Sequence, residues 1–211
     1  NIRKAIQFLL GSNMSEVITI FAATLMGFTV LKPVHLLWIN LITDTFPALS
    51  LGMEKAEPDI MKRKPRKASE GVFAGGMAFD IAYQGLLVAI LVLISYGIGH
   101  AFEFGSFGFA DSGHGITMAF LTLSMAEIFH SFNMRSREKS LFSLKTVNKT
   151  LIIAGVASFV LTTLVCEIPF LAAAFSFTHV GVKEYLVAIA LGFVVLPVVE
   201  IVKLIKRKIA A

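Results

Sequence analysis

Apolar stretches of about twenty residues, the length that crosses a bilayer as a helix, follow one another along this chain with little between them. They run at about 5–28, 33–53, 77–101, 115–133, 149–174 and 182–204. Runs such as Leu86–Ile94 and Leu151–Val165 carry no polar face, so they do not read as the half-buried helices of a soluble protein. The composition agrees: 56% of the residues are hydrophobic and the mean hydropathy is +0.78. The expected fold is therefore all-α, an integral membrane bundle of six transmembrane helices forming one domain over 1–211. Its longer connections are expected at 54–76 and 135–148.

The charges sort themselves around these spans. If the six alternate in direction, all of the 19 Lys and Arg except Lys32 and Lys183 fall on one side of the membrane. The positive-inside rule then puts both termini and the 54–76 and 135–148 loops in the cytoplasm. The net charge of +5 is a product of this bias, and no basic face interleaved with aromatics points to nucleic acid. The run Lys62-Arg-Lys-Pro-Arg-Lys67 reads first as a topology determinant facing anionic lipid. Cys166 is the single cysteine, which excludes an intrachain disulfide and a cysteine metal site. No Gly-rich phosphate loop, nucleotide motif, low-complexity segment or internal repeat stands out.

Against this apolar background a few polar residues are costly. Asp44 lies inside the second span, where insertion costs a carboxylate about 2.5–3.5 kcal/mol. Asn40, Thr43 and Asp44 are related by i, i+3 and i+4 and so share one helix face. Pro47 has no N–H for the Thr43 carbonyl, so the helix is expected to break near Asp44–Pro47 and free a main-chain oxygen. Such backbone is tolerated in a membrane only where it lines a cavity. In the first span Asn13 and Glu16 are three apart, and Glu127 stands midway along the fourth. None of these spans has a basic residue in its interior. Glu16, Asp44 and Glu127 must therefore be protonated, paired with a segment outside this sequence, or bound to a cation. Carboxylate, amide, hydroxyl and carbonyl oxygens are what Ca²⁺ prefers, at roughly 6–8 per ion. Mn²⁺ accepts similar ligands, and Mg²⁺ suits a cage on several helices less well.

Three segments together carry a family resemblance: Ser12-Asn-Met-Ser-Glu16, Leu36-Leu-Trp-Ile-Asn-Leu-Ile-Thr-Asp44 and Glu57-Pro-Asp-Ile-Met-Lys-Arg-Lys-Pro-Arg66. In combination they resemble the C-terminal membrane region of P-type calcium-transporting ATPases of the reticulum and bacterial type, across essentially the whole chain. The resemblance implies helices five to ten of a ten-helix pump. It implies partners: an actuator, a nucleotide-binding and a phosphorylation domain, and helices one to four, besides the surrounding lipid. ATP and Mg²⁺ would be used by those absent domains. This chain would hold no catalytic residue and would bind the transported Ca²⁺, exporting it from the cytoplasm with H⁺ moving back.

By motif, the resemblance implies Asn13, Glu16, Thr43, Asp44 and Glu127 as ligands of one ion and Asn40 and Asp44 as ligands of a second. Two positions depart from the reticulum pattern. Thr45 replaces a glycine and is expected to limit how far the second helix unwinds, and His130 replaces an asparagine. A lone histidine near a helix border is expected to be a hydrogen-bonded packing residue. The segment Phe132–Phe142 resembles bacterial members, which implies a bacterial inner membrane.

Two other readings use the same residues. A freestanding six-helix secondary cation transporter or channel leaves unexplained the opening at Asn1 and the lack of an inverted repeat. A pump for another hard cation, Mn²⁺, Mg²⁺ or Na⁺, needs only a different shell, although the amide at Asn40 disfavours Na⁺. A membrane-anchor subunit has no use for clustered central acids.

Overall fold

The computed structural model describes residues 1–55, 71 and 73–210. The basic run Lys62–Lys67, with Arg63 and Arg66, lies outside the described residues. Helices are α1 (Ile2–Met26), α2 (Pro33–Gly52), α3 (Met77–Phe104), α4 (Gly113–Asn133), α5 (Lys149–Glu167), α6 (Pro169–Phe175), α7 (Val182–Phe193) and α8 (Val195–Ala210). No strand occurs among the described residues. With α7 and α8 continuing one another, six helices are long and apolar enough to cross a membrane.

Local chemistry sets the ends. Gly27 closes α1 in the left-handed region, φ 82°, and its N–H returns to the carbonyls of Ala23 and Thr24. Pro33 and Pro169 occupy first turns, where a missing N–H costs nothing. Ser112 caps α4 by accepting from the N–H of Gly115 at 2.8 Å, and Asn148 caps α5 by accepting from Leu151 at 2.9 Å. The division between α7 and α8 falls at Val194, where Pro197 leaves the Phe193 carbonyl without its helical donor.

Helix α4 is the post around which the others stand, buried along nearly its whole length from Gly115 to Asn133. α3 crosses it where Gly99 meets Gly115; a Cβ on Gly99 would lie 2.8 Å from the Gly115 Cα. α7 crosses it at Gly192, where a Cβ would lie 2.7 Å from that of Met125 and 2.9 Å from the Ala126 nitrogen. Close approach of backbones is how helices gain packing in lipid, where no hydrophobic force drives them together.

Helix α2 changes its winding beside Asp44–Pro47, where the sequence places the break, without opening into a gap. It widens into a π-helical turn over Ile39–Asp44 and resumes as an α-helix at Thr45, with Pro47 in the resumed first turn. Hydroxyls caulk the widened turn. Thr43 donates to the Ile39 carbonyl at 3.0 Å, Thr45 to the Asn40 carbonyl at 2.7 Å, and Ser158 of α5 to the Ile42 carbonyl at 2.9 Å. The chain thus meets the proline by a wider turn that stays bonded, and Thr45 is one of the groups holding it.

The end of α2 is tied by a buried ion pair. Arg135, just past α4, grips Glu54 with two bonds of 3.0 Å and donates to the Thr146 carbonyl at 2.5 Å. Asn148 adds bonds to Glu54 at 2.8 Å and to the Ser50 carbonyl at 2.9 Å. Asn1 reaches the carbonyls of Gly52 and Glu54, and Lys4 reaches that of Arg135 at 2.6 Å. One arginine therefore joins the start of α1, the end of α2, the end of α4 and the approach to α5. Removing one partner of such a pair strands a buried charge, which typically costs about 3–5 kcal/mol. Arg135→Leu should lower the unfolding temperature in detergent markedly, and adding Glu54→Leu should restore much of it. A double variant no more stable than Arg135→Leu would show the pair to be incidental.

Candidate cation site

Three helices bring one carboxylate each to the middle of the bundle. Asp44 ends the widened turn of α2 and is 1% exposed; Glu127 of α4 is also 1% exposed, and Glu16 of α1 is 6% exposed. Each has a small neutral neighbour. Ser12 donates to Asp44 Oδ2 at 2.8 Å, and Ser15 lies 3.4 Å from Glu127 Oε1. Asn40 Nδ2 lies 3.2 Å from both oxygens of Glu16 and also bonds the Leu36 carbonyl at 2.9 Å. Among the described residues none of the three acids has an ion-pair partner.

The remaining oxygens are the informative ones. Asp44 Oδ1 and Glu127 Oε2 are buried without a hydrogen-bond partner among the described residues, as are the hydroxyls of Thr19 and Ser124. A buried polar group left unmet costs about 1–3 kcal/mol, and more when charged. Thr19 stands one helical turn beyond Ser15 on α1, and Ser124 one turn before Glu127 on α4. All these donors are hard oxygens, the type that Ca²⁺ and similar cations take. No three Asp, Glu, His or Cys side chains converge closely enough to hold a metal ion by themselves among the described residues. The acids here are divided among separate hydroxyl and amide partners, so a cation shell would need them to regroup or to receive further ligands.

The six residues singled out in the sequence fall into two groups. Glu16, Asn40 and Asp44 are linked through α1 and α2, with Glu127 joined to the same stretch of α1 by Ser15. Thr43 is fully buried, but its hydroxyl is spent on the Ile39 carbonyl. Asn13 stands apart, exposed on α1, with its amide turned back to the Leu9 carbonyl at 2.8 Å. Sequence reasoning overlooked Ser12 and Ser15. The usable signal was their spacing, since Ser12 lies four residues before Glu16 and three before Ser15, which places hydroxyls along the buried side of α1.

His130 also departs from expectation. It is fully buried, yet neither ring nitrogen has a hydrogen-bond partner among the described residues.

Similarity to known proteins bears on what this cluster serves. The family described as cation transporting ATPase, C-terminus, matches residues 28–205. A calcium-transporting ATPase of Bacillus cereus is 40% identical over 98% of this chain and 24% of its own length. One from Bacillus subtilis is 37% identical over 78% of the chain and 18% of its own length. An endoplasmic reticulum-type calcium-transporting ATPase of Arabidopsis thaliana is 28% identical over 98% of the chain and 23% of its own length. The chain thus spans about a quarter or less of these relatives.

Ser12 is the cheapest probe of the cluster. Ser12→Ala strands the second oxygen of Asp44 and should destabilise the cation-free protein by about 1–3 kcal/mol, while Ser12→Thr keeps the hydroxyl and should stay near wild type. Thermal unfolding in detergent without divalent ions measures both, and equal behaviour of the two variants would show that the bond to Asp44 carries no weight.

Proposed function

The chain belongs to the cation-transporting ATPase C-terminal family, and from that membership we propose that it is the cation-binding membrane part of an ATP-driven Ca²⁺ pump. Six apolar helices and family membership make it an integral, multi-pass membrane protein. On the proposed reading ATP and Mg²⁺ are used by domains beyond this chain: an actuator, a nucleotide-binding and a phosphorylation domain, together with four further helices. The membrane is a bacterial plasma membrane with both termini cytoplasmic, in keeping with the basic residues at both ends of the chain.

The observation that carries the reading is the pair of unmet carboxylate oxygens, Asp44 Oδ1 and Glu127 Oε2, in the interior of the bundle. They offer anionic oxygen where lipid surrounds the fold, and a divalent cation would neutralise two such groups at once. Proposed ligands are Asn13, Glu16, Asn40, Thr43, Asp44 and Glu127. Asp44 is taken as the central one: it ends the widened turn of α2, is buried, and keeps one oxygen free while Ser12 of α1 donates to the other. Ligation takes up each carboxylate's charge, and release leaves three acids in a dry interior. Protons returning in exchange would meet that need, and H⁺ counter-transport is part of the proposal. The relatives named as calcium-transporting ATPases support Ca²⁺ over other hard cations.

The test uses the full-length protein. Asp44→Asn keeps the shape and one carbonyl oxygen but removes a charge and bidentate binding. It should abolish Ca²⁺-dependent phosphorylation by ATP while leaving phosphorylation from inorganic phosphate, which proceeds with empty sites. Glu127→Gln should weaken Ca²⁺ binding less, because on this reading Glu127 serves one ion and Asp44 both. Wild-type Ca²⁺ affinity in Asp44→Asn would remove Asp44 from the cage.

A further inference from the structure

Thr19 and Ser124 carry two hydroxyls for which the fold has no use. Both residues are fully buried, and neither oxygen has a hydrogen-bond partner among the described residues. A serine or threonine inside a helix has a ready remedy, which is to donate to the carbonyl three or four residues back on its own helix. This bundle uses it repeatedly. Ser15 donates to the Ser12 carbonyl at 2.7 Å, Thr24 to that of Ile20 at 2.8 Å, Thr43 to that of Ile39 at 3.0 Å, and Ser131 to that of Ile128 at 2.7 Å. Thr19 and Ser124 stand four residues after Ser15 and Phe120 in the same way, and do not take that bond.

Their level in the bundle follows from the register of α1 against α4. The two helices run antiparallel: Lys4 Nζ lies 2.6 Å from the Arg135 carbonyl, and Ser15 lies 3.4 Å from Glu127 Oε1. One more turn away from Arg135 advances α1 from Ser15 to Thr19 and returns α4 from Glu127 to Ser124. The two hydroxyls therefore come level with one another, one turn beyond the acids. Each also shares a helix face with groups of the cluster. Thr19 is four residues from Ser15 and seven from Ser12, which donates to Asp44 Oδ2 at 2.8 Å. Ser124 is three residues from Glu127, whose Oε2 is unmet. Thr122, on another side of α4, is fully engaged: it donates to Ser95 of α3 at 2.7 Å and lies 3.2 Å from the Ala188 carbonyl of α7. Ser95 in turn donates to the Met118 carbonyl at 3.1 Å. The hydroxyls between α3, α4 and α7 are thus met, and the two on the side of the acids are not.

We propose that Thr19 and Ser124 are hydroxyl ligands of the cation held at Glu127, and that they set its selectivity for Ca²⁺. This rests on the reading of the cluster as a Ca²⁺ site. An unmet buried hydroxyl is a standing cost to the cation-free protein, and a divalent cation beside Glu127 is the partner that removes it. Ca²⁺ takes roughly 6–8 oxygens in flexible geometry, whereas smaller hard cations such as Mg²⁺ and Mn²⁺ are suited by an octahedral shell. Two neutral oxygens, supplied from the side away from Arg135, enlarge the shell without adding charge. They favour the ion that can use the extra ligands, and they leave no further charge stranded when that ion departs.

Thr19→Val keeps the shape and removes the hydroxyl, Thr19→Ser keeps the hydroxyl, and Ser124→Ala removes one atom while favouring the helix. In the purified full-length protein, equilibrium binding of radiolabelled Ca²⁺ should weaken several-fold in Thr19→Val and in Ser124→Ala, further in the double variant, and stay near wild type in Thr19→Ser. Binding of Mn²⁺, followed by the paramagnetic signal of the free ion, should weaken far less, so that the ratio of the two affinities falls. Thermal unfolding without divalent ions separates ligation from packing, because deleting an unmet hydroxyl should leave the cation-free protein as stable as wild type or more so. Unchanged Ca²⁺ affinity in the double variant overturns the ligation. Equal losses for Ca²⁺ and Mn²⁺ overturn the selectivity. A lower cation-free unfolding temperature in Thr19→Val and Ser124→Ala assigns the hydroxyls to buried water or to holding the fold, and overturns their role as ligands. A wild-type protein that binds no Ca²⁺ overturns the underlying reading instead, an outcome recognised before any variant is made.

Discussion

Every polar group that enters this bundle has to be answered from within it, because a hydrocarbon surround offers no hydrogen bonds. That constraint explains the choice of partners as well as their number. Between α1, α2 and α4 the acids are met by serine and asparagine, short neutral groups that leave one oxygen of Asp44 and one of Glu127 uncommitted. At the end of the bundle the opposite solution is used. Glu54 is saturated by Arg135 and Asn148 and has no oxygen to spare. The two carboxylate environments differ in chemistry and therefore in use: one holds helices together, the other is left with capacity for a ligand.

The Arg135 knot also fixes where the structure can move. It holds the first residues of α1, the last of α2 and the exit of α4, which are the three helices that carry Glu16, Asp44 and Glu127. With those ends pinned, a change in the spacing of the acids has to be absorbed between the knot and the cluster. In α2 that stretch contains Pro47 and abuts the π turn over Ile39–Asp44, whose carbonyls are held by side-chain hydroxyls and not only by the helical ladder. Exchanging a hydroxyl partner is a small step compared with breaking a main-chain bond in lipid.

Much of this was readable in the sequence, for a physical reason. Spans without a polar face cannot be anything but lipid-facing or deeply buried helices, and an aspartate among them is rare enough to mark a site by itself. The all-helical fold and the identity of the buried acids followed from that. What stayed hidden depends on three-dimensional pairing. Ser12 and Ser15 are inexpensive in a membrane helix and so give no signal until their orientation is known. Arg135 and Glu54 looked like two members of charged loops, and only the packing of α2 against α4 joins them. Pro47 announced a disturbance in α2 but not its form, because a proline's missing bond can be met by unwinding or by a wider turn. Thr45, with a hydroxyl in reach of the Asn40 carbonyl, favours the wider turn.

The placing of Asn13 and Asn40 gives the cluster a direction. Asp44 and Glu127 are shut off by α4, whereas Asn40 is half-buried and Asn13 is exposed on α1. Side chains with amide oxygens are therefore ranged along the open flank of the cluster, and the carboxylates along its closed flank. An amide exposed to hydrocarbon would be as costly as any other unmet polar group, so this flank is built to be covered by something polar. The chain spans only 24% of the length of its Bacillus cereus relative, and on the proposed reading the covering is protein from the rest of the pump. A cation held there would be bound between two sets of ligands, one fixed by the Arg135 knot and one able to leave with the covering segment. Separating those sets opens the site from one side without disturbing the acids, which is the mechanical condition for a pump rather than a channel.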